Sequence, residues 1–220
     1  MRFTTGLLAT LVLAAGPALA ADDSFYVGVG MGYSKININE TKLNNSISGE
    51  LPLAWSFDRS SVDQYATPYQ FVAGYRLMPY LGFEASYMDM GSADYKAQIS
   101  TGNGGKGVVK GTWSADGWPV SVLGIYPIDD TFEVFGRLGA FFGSVDMKAS
   151  AVDAQTGARI GNKYHASENS NQFIGGVGVD AKFLDSWAAR VEWQAMPSLG
   201  NDDTGSGNFN NFMFSVLYKF

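Results

Sequence analysis

The stretch Phe212-Met213-Phe214-Ser215-Val216-Leu217-Tyr218-Lys219-Phe220 closes the chain and places an apolar or aromatic residue at every even position. Because successive side chains of a β-strand point to opposite faces, this spacing predicts a strand with one apolar face. Ser215 and Lys219 lie on the other face. A soluble sheet could hide the apolar face in a core, so the rest of the chain has to decide between a soluble protein and a membrane protein.

The amino end of the chain predicts export. Met1 and Arg2 form a short positive start, residues 7–15 form an apolar run, and Ala18-Leu19-Ala20 supplies small residues for cleavage. This order is typical of a secretory signal peptide, and the run is too short for a membrane-spanning helix, which needs ~20 residues. We therefore predict a signal peptide over residues 1–20 and a mature chain over residues 21–220. An uncleaved helical anchor is the alternative.

Composition narrows the class further. The chain contains no cysteine, so an exported fold has to be held together by hydrogen bonds and packing. The formal net charge is −6, which argues against nucleic acid as a partner because phosphate binding needs a basic surface. After the signal, no stretch approaches 18 consecutive apolar residues, which excludes a helical membrane protein.

Eight segments with alternating apolar and polar residues follow the signal, each close to the length that a tilted membrane strand needs. They cover residues 24–34, 69–76, 81–87, 118–126, 132–142, 172–182, 189–194 and 212–220. The fourth alternates poorly: we place Leu123 and Ile125 inward, and a register shifted by one residue is the alternative. An even number of strands lets the last pair with the first and leaves no open edge. The sequence thus predicts an all-β fold, an eight-stranded antiparallel up-and-down transmembrane β-barrel.

The connections between these segments alternate in length. Three are tight turns, at residues 78–79, 127–130 and 184–186, and four are long, at residues 35–64, 91–110, 148–169 and 197–210. Short periplasmic turns opposite long outer loops are typical of outer-membrane barrels, so both termini are expected on the periplasmic side. A soluble lipocalin-like barrel would invert the pattern and turn its polar residues outward.

Several stretches resemble the eight-stranded transmembrane domain of the outer membrane protein A family. They are Gly74-Tyr75-Arg76-Leu77-Met78-Pro79-Tyr80-Leu81-Gly82-Phe83-Glu84, Tyr126-Pro127-Ile128-Asp129-Asp130, Gly136-Arg137-Leu138-Gly139, Phe173-Ile174-Gly175-Gly176-Val177, Arg190-Val191-Glu192-Trp193-Gln194 and Ser215-Val216-Leu217-Tyr218-Lys219-Phe220. The similarity runs in order from about residue 24 to residue 220. It implies that Phe220, with Tyr218 and Val216, forms the carboxyl-terminal signal read by the outer-membrane insertion machinery. Many family members carry a peptidoglycan-binding domain after the barrel; here the chain ends at Phe220, so a cell-wall tether is not implied.

The resemblance also bears on the barrel interior. In the family, the positions that match Glu84 and Arg190 belong to interior ion pairs implicated in opening and closing a narrow pore. This chain departs from the family at Gly178 and Leu123, where the family has a second acid and a lysine.

Inward-facing charges are the candidate functional residues. An eight-stranded barrel is filled by its own side chains, so interior charges have to pair or meet water. Counting from the tight turns places five charged residues near the turn end of the barrel: Arg76, Glu133, Asp180, Lys182 and Lys219. Four lie nearer mid-height and are predicted to pair with one another: Glu84, Arg137, Arg190 and Glu192. Two interpretations stay open, a static network that plugs the barrel and the gate of a narrow, low-conductance pore.

An enzymatic function has little support in the sequence. His165 lies two residues before Ser167, and a base beside a serine is the minimum for acyl transfer, as in a lipid A-modifying enzyme. No flanking motif supports that chemistry, and we interpret His165 as a loop residue. We predict no catalytic, cofactor-binding or metal-binding residues; the glycine-rich residues 102–107 are interpreted as a hairpin tip.

The long loops carry whatever recognition the protein has. Residues 93–100 and 108–113 alternate on both sides of the glycine-rich tip, and residues 147–160 repeat the design, so hairpins extending above the membrane are expected. A candidate interaction patch in the first loop consists of alternating apolar residues, Leu51, Leu53, Trp55 and Phe57. Exposed, they would form an adhesive patch; the alternative is that they pack against a neighbouring loop.

The sequence therefore predicts an integral barrel in the outer membrane of a Gram-negative bacterium. A structural or surface-interaction role, in membrane integrity, adhesion or receptor-type recognition, is favoured over a pore. The expected partners are outer-membrane lipid and lipopolysaccharide, the insertion machinery, and extracellular molecules that meet the loops.

Overall fold

The structure is a computed structural model that describes residues 24–38, 40–49, 51–52, 54–101, 103–199 and 207–220. The predicted signal peptide lies outside the described residues. The described residues form one helix and ten strands: β1 (Ser24–Ile38), α1 (Glu40–Ser48), β2 (Trp55–Val62), β3 (Tyr65–Ala66), β4 (Tyr69–Met78), β5 (Leu81–Thr101), β6 (Lys106–Pro127), β7 (Phe132–Asp153), β8 (Arg159–Leu184), β9 (Trp187–Leu199) and β10 (Gly207–Lys219). In this part of the chain, no helix combines the length and apolarity needed to cross a membrane.

Eight of the strands close into an antiparallel ring. The order around the ring is β10-β9-β8-β7-β6-β5-β4-β1, and β1 pairs again with β10. The closing pair runs in register from Tyr26 opposite Lys219 to Ile38 opposite Gly207. Closure satisfies the backbone groups that would otherwise form sheet edges. The predicted eight-stranded barrel is confirmed.

The tight turns lie where the sequence predicted them. β4 ends at Met78 and β5 begins at Leu81, β6 ends at Pro127 before β7 at Phe132, and β8 ends at Leu184 before β9. We call this end of the barrel the turn end and the opposite end the loop end. The last strand begins from the loop end, so the first and last described residues both lie at the turn end.

The outer wall of the ring carries a broad apolar belt. Large apolar side chains between the two ends are exposed, and Leu138, Phe173 and Phe214 are among them at 76%, 80% and 61%. The poorly alternating segment in β6 keeps the favoured register, because Val122 is exposed while Leu123 is buried. Aromatic pairs mark the two borders of the belt, with Trp187 against Tyr218 at the turn end and Tyr87 against Trp118 at the loop end.

Beyond the loop-end aromatics, β5 to β8 continue as long hairpins. β5 pairs with β6 up to Ser100 opposite Lys106, and β7 pairs with β8 up to Val152 opposite Arg159. β2 adds to the outer edge of β5. The hairpins predicted from the alternating arms are confirmed. In contrast, α1 and β2 lie in residues 35–64, which the sequence placed in one long loop, and β3 lies between that loop and the second predicted strand.

The polarity of the wall inverts in these hairpins, which we call the extension. Its outward side chains are polar, and its inward side chains are apolar and buried, such as Tyr95, Ile99 and Trp113. Leu43 and Ile47 of α1 belong to the same buried cluster. Water on the outside of the extension requires this inversion, because apolar side chains gain most by leaving water.

Candidate functional site

A network of buried charges occupies the lower interior of the ring, and Glu84 of β5 is its centre. The Glu84 carboxylate accepts a hydrogen bond from the Tyr26 hydroxyl at 2.6 Å. It also forms ion pairs with Arg137 of β7 and Arg190 of β9. The exposed fractions of Glu84, Arg137 and Arg190 are 2%, 2% and 3%, so these charges are withdrawn from solvent.

Each arginine has a second acid as a partner. The Arg137 guanidinium forms an ion pair with Glu192, whose other oxygen also accepts from Gln194 at 3.1 Å. The Arg190 guanidinium donates two parallel hydrogen bonds to Asp180, at 2.7 and 2.9 Å. This two-point contact fixes both distance and orientation. Three acids and two arginines therefore share one continuous network, and the structure brings all four predicted mid-height residues into it.

Asp180 joins this network although the sequence grouped it with the charges at the turn end. It lies directly opposite Arg190 in the register of β8 and β9, and directly opposite Glu133 in the register of β7 and β8. Strands in a barrel tilt, so a register row climbs around the wall, and equal residue counts from different turns do not give equal heights. Tyr26 was missed because only charged residues were considered as partners for Glu84.

A second cluster of charges lies at the turn end and centres on Glu133. Arg76 donates to both carboxylate oxygens, at 3.0 and 2.8 Å, and Lys182 lies 2.8 Å from one of them. Lys219 is more distant, at 3.8 Å. Lys182 is 38% exposed, so this cluster lies where the barrel interior meets solvent.

Of the two positions that depart from the family, Gly178 has a structural explanation. Gly178 lies opposite Phe135 in the register, and a side chain at Gly178 would collide with the Phe135 ring. That ring also supports the Arg190 guanidinium, which lies 4.3 Å from the ring centroid in a cation–π contact. An aromatic ring thus fills the volume beside the network, and Leu123 is fully buried without a charge.

Above the charge network, apolar side chains fill most of the ring, together with a few buried polar ones such as Gln70 and Asn211. Met88, Phe141 and Met196 are fully buried and join the cluster that extends to Trp113 and α1. Trp113 stacks on Phe209 with ring centroids 5.2 Å apart. We call this part of the cluster, from Met88 to α1, the apolar plug. It separates the charges from the loop end.

The candidate interaction patch in the first loop does not form an exposed surface. Leu51, Trp55 and Phe57 are half-buried and pack against the apolar plug. The geometry thus agrees with packing against neighbouring elements rather than with an adhesive patch. Leu53 lies outside the described residues.

The residues of the carboxyl-terminal signal lie together on the outer wall at the turn end. Phe220 is 69% exposed, and its ring lies 5.0 Å from Tyr218 and 5.6 Å from Phe25. The Phe220 amide donates to the Phe25 carbonyl at 2.9 Å, which ties the last residue to β1. Val216 belongs to the same outward row. Their role in assembly stays a prediction.

The residues considered for acyl transfer are not assembled for it. His165 and Ser167 of β8 point outward, whereas Glu168 lies opposite the buried Val145 and points inward. Glu168 is therefore not on the same face as the histidine and does not orient it as the third member of a triad would. Within the ranges that the structure describes, no three His, Asp or Glu side chains are grouped as a metal site needs.

A family model, the OmpA-like transmembrane domain, matches residues 20–220. The chain belongs to this family. Outer membrane protein A of Klebsiella pneumoniae is 30% identical over 149 residues, covering 67% of this chain and 39% of that protein. Outer membrane protein A of Escherichia coli O157:H7 is 27% identical over 206 residues, covering 92% of this chain and 49% of that protein. The chain spans about half the length of the curated relatives it matches, or less.

Solved structures of small outer-membrane barrels are also similar. The attachment invasion locus protein Ail of Yersinia pestis has a TM-score of 0.46 and 13% identity, covering 89% of this chain and 99% of that one. Neisserial surface protein A has a TM-score of 0.46 and 13% identity, covering 91% and 100%. With the family match, the apolar belt assigns this OmpA-like barrel to the outer membrane.

Proposed function

We propose that this OmpA-like protein is a closed outer-membrane barrel with a structural and surface-interaction role rather than a pore. The observation that carries the proposal is the apolar plug, a cluster of buried apolar side chains that runs from Met88 through Trp113 to Leu43 of α1, with the buried Asn211 side chain against Met88. Water and small ions cross apolar, side-chain-filled interiors poorly, because a desolvated charge there is costly. Membrane integrity then depends on the stable wall, and recognition depends on the extension.

The proposal includes an orientation, with the turn end in the periplasm and the loop end outside the cell. Short turns on one side and long hairpins on the other support it, since outer-membrane barrels have short periplasmic turns. The chain has no cysteine, so a cysteine introduced by substitution is the single thiol that a labelling reagent can modify. On intact cells, Gln155→Cys at a hairpin tip should react with a membrane-impermeant maleimide, and Asp129→Cys in a tight turn should not. The reverse pattern would overturn the orientation.

The proposed surface role depends on a rigid wall, the extension, which presents its outward side chains above the loop-end aromatics. From Trp118 to Lys106, β6 advances by 12 residues, which at ~3.3 Å per residue and a tilt near 40° gives a height of roughly 30 Å above the loop-end aromatics. The inward side of this wall is a packed core, so the backbone that carries its outward side chains is held in place. A preorganised backbone binds with less entropic loss than a mobile loop.

Single-channel recording in planar bilayers tests the closed barrel. We expect no discrete conductance steps from the unchanged protein. The double substitution Met88→Ala with Phe141→Ala, which removes plug volume, should introduce them, whereas Val29→Ala with Val216→Ala on the lipid face should not. Discrete steps from the unchanged protein would contradict the proposal.

The second candidate function is a narrow gated pore. It is favoured by the fact that two arginines share the Glu84 carboxylate. Arg137 and Arg190 each have an alternative acid, in Glu192 and Asp180, so the network has more than one way to pair its charges. In a pore, Glu84→Ala would change the conductance of the otherwise unchanged protein. In a plugged barrel, Glu84→Ala leaves the recording silent because the plug is intact.

A further inference from the structure

A row of lysines crosses the outer wall of the extension. Neighbouring strands place Lys96 of β5, Lys110 of β6 and Lys148 of β7 on one face, with Lys163 and His165 of β8 beside them. With Asp94, they line a shallow groove of about 610 Å³, which we call the lysine groove. Four lysines and one aspartate give it a formal charge of +3, on a chain whose net charge is −6.

The described part of the chain provides no ion pair to the lysines of the groove. Lys96 and Lys110 lie directly opposite each other in the register, an arrangement that is destabilising without a counter-charge. Asp94 and Asp146 lie two residues from Lys96 and Lys148, yet no lysine of the groove forms an ion pair with any described residue. An external anion would supply the missing counter-charge.

Acids of the same wall lie lower and have other partners. Asp89 and Asp116 face each other close to the loop-end aromatics. Asp89 accepts from the Tyr69 hydroxyl at 2.7 Å, and Asp116 accepts from the Tyr87 hydroxyl at 3.3 Å. Apart from Asp94 and Asp146, the wall thus has a pair of acids beside the apolar belt and a basic groove above it. This separation makes the groove a distinct surface for an anion.

The height and direction of the lysine groove identify the anion. Lys148 lies six residues beyond Phe142, and Lys110 eight residues beyond Trp118, which places the groove about 15–20 Å above the loop-end aromatics. The groove opens sideways from the wall rather than upward from the hairpin tips. In an outer membrane, the neighbours at this height are the sugars of lipopolysaccharide, whose inner core carries phosphate groups.

We propose that the lysine groove binds phosphate groups on the inner core of lipopolysaccharide next to the barrel. The inference rests on the orientation in the proposed function, because only a loop end outside the cell meets this lipid. Lysines act as point charges for phosphate, so the groove recognises charge density rather than one sugar. An anchored sugar layer would hold the outer leaflet against the protein wall.

The binding test uses the full protein in phosphatidylcholine nanodiscs and two probes, lipopolysaccharide with its core phosphates and the same material after dephosphorylation. We expect tighter binding of the phosphorylated form, and loss of that preference at high salt. The test variant is Lys96→Gln with Lys110→Gln, and the control is Lys35→Gln with Lys106→Gln, which removes equal charge elsewhere. Each exposed charge pair is worth a factor of about two to three, so the test variant should bind about five-fold more weakly.

Several outcomes would overturn the proposal. One is equal affinity of the unchanged protein for both probes. Another is a loss of affinity in the control variant as large as that in the test variant. A third is tighter binding of soluble heparin than of lipopolysaccharide, which would identify a free polyanion as the ligand. Heat-modified mobility on a gel shows that each variant has folded. The labelling at Gln155 tests the orientation separately, so a failed lipid interaction is distinguishable from a wrong orientation.

Discussion

Removing Arg190 should destabilise the barrel more than removing Glu84. The network holds three acids and two arginines. Without Glu84, each arginine keeps one acid, Glu192 for Arg137 and Asp180 for Arg190, and the charges balance. Without Arg190, Asp180 loses its two-point partner, Glu84 keeps only Arg137, and three acids face one arginine.

The magnitudes follow from the cost of an uncompensated buried charge. Breaking a buried pair by removing one partner costs ~3–5 kcal/mol. We therefore expect about 3 kcal/mol for Glu84→Ala and about 5 kcal/mol for Arg190→Ala. The two side chains contact each other directly, so the double variant should fall short of the sum by about 1–3 kcal/mol.

The assay is equilibrium unfolding in denaturant, with the barrel folded in lipid vesicles and followed by tryptophan fluorescence. Gln155→Ala at a hairpin tip is the control and should change the free energy of unfolding by less than about 0.5 kcal/mol. Strict additivity of the two substitutions would show that the side chains do not interact. A larger cost for Glu84→Ala than for Arg190→Ala would refute the charge balance.

Three further predictions concern the wall, the plug and a hairpin tip. Val177 and Leu138 are both exposed in the apolar belt, and arginine at either should lower the free energy of unfolding by about 2–4 kcal/mol in the same assay. Gln155→Arg should leave that free energy nearly unchanged. Equal tolerance at all three sites would show that the outward register is wrong. Trp113→Ala should cost about 3–5 kcal/mol because the ring is fully buried against Phe209, and a cost below 1 kcal/mol would mean that the plug is not a packed core. Asp153 accepts hydrogen bonds from the Thr156 amide at 2.7 Å and the Thr156 hydroxyl at 2.9 Å, and these bonds lower the pKa of the Asp153 carboxyl. A lowered pKa stabilises the turn above the unfolded value of about 4, and the stabilisation is lost as the pH falls through the lower folded value. The protection factor of the Thr156 amide, which is the exchange rate of an unfolded peptide divided by that of the amide at the same pH, should therefore fall in that acidic range; a protection factor that does not respond to acid would contradict the contact.

The membrane part of the fold could be predicted because lipid enforces a simple rule. Every outward residue between the two aromatic borders of the apolar belt has to be compatible with lipid hydrocarbon. The resulting alternation, as in Phe212 to Phe220 or Leu81 to Tyr87, is therefore visible in one sequence. The tight turns were visible for a related reason. Their short polar stretches interrupt that alternation at residues such as Asp129.

The extension was harder to predict because its polarity is reversed. A search for apolar residues that face outward ends at Tyr87, although β5 continues to Thr101. Residues 93–100 were assigned as a hairpin arm, and their continuity with the membrane strand was not visible. The helix α1 was missed because no strong periodicity marks its short sequence.

The charge network could be predicted in its members but not in its geometry. The alternation of residues places Glu84 and Arg190 on the inward faces of their strands, and it places Tyr26 on an inward face as well. Which of them meet depends on the stagger of the strands, which sets the height of Asp180 against Arg190. Stagger is a property of the closed ring, and a single strand does not contain it.

Gly91 connects the two parts of the fold. Inward residues of β5 have even numbers up to Met90 and odd numbers from Ala93, and the register with β6 shifts between Asp89 and Ser92. A bulge at this point adds the residue that changes the parity, and Gly91 adopts a φ of 75° there. A Cβ at this position would lie 3.0 Å from the Thr67 carbonyl oxygen, a second reason for glycine.

The position of this bulge explains how one continuous sheet serves two solvents. Without the shift, the residues after Gly91 would present Tyr95 and Ile99 to water and turn Asp94 and Lys96 into the core. With the shift, the apolar side chains complete the plug and the charged side chains reach the outer wall. The same added residue therefore completes the apolar plug, on which the proposed structural role depends, and places Lys96 of the groove on the outer wall. Both proposals depend on this local change of parity in β5, although their tests act on different faces of the wall.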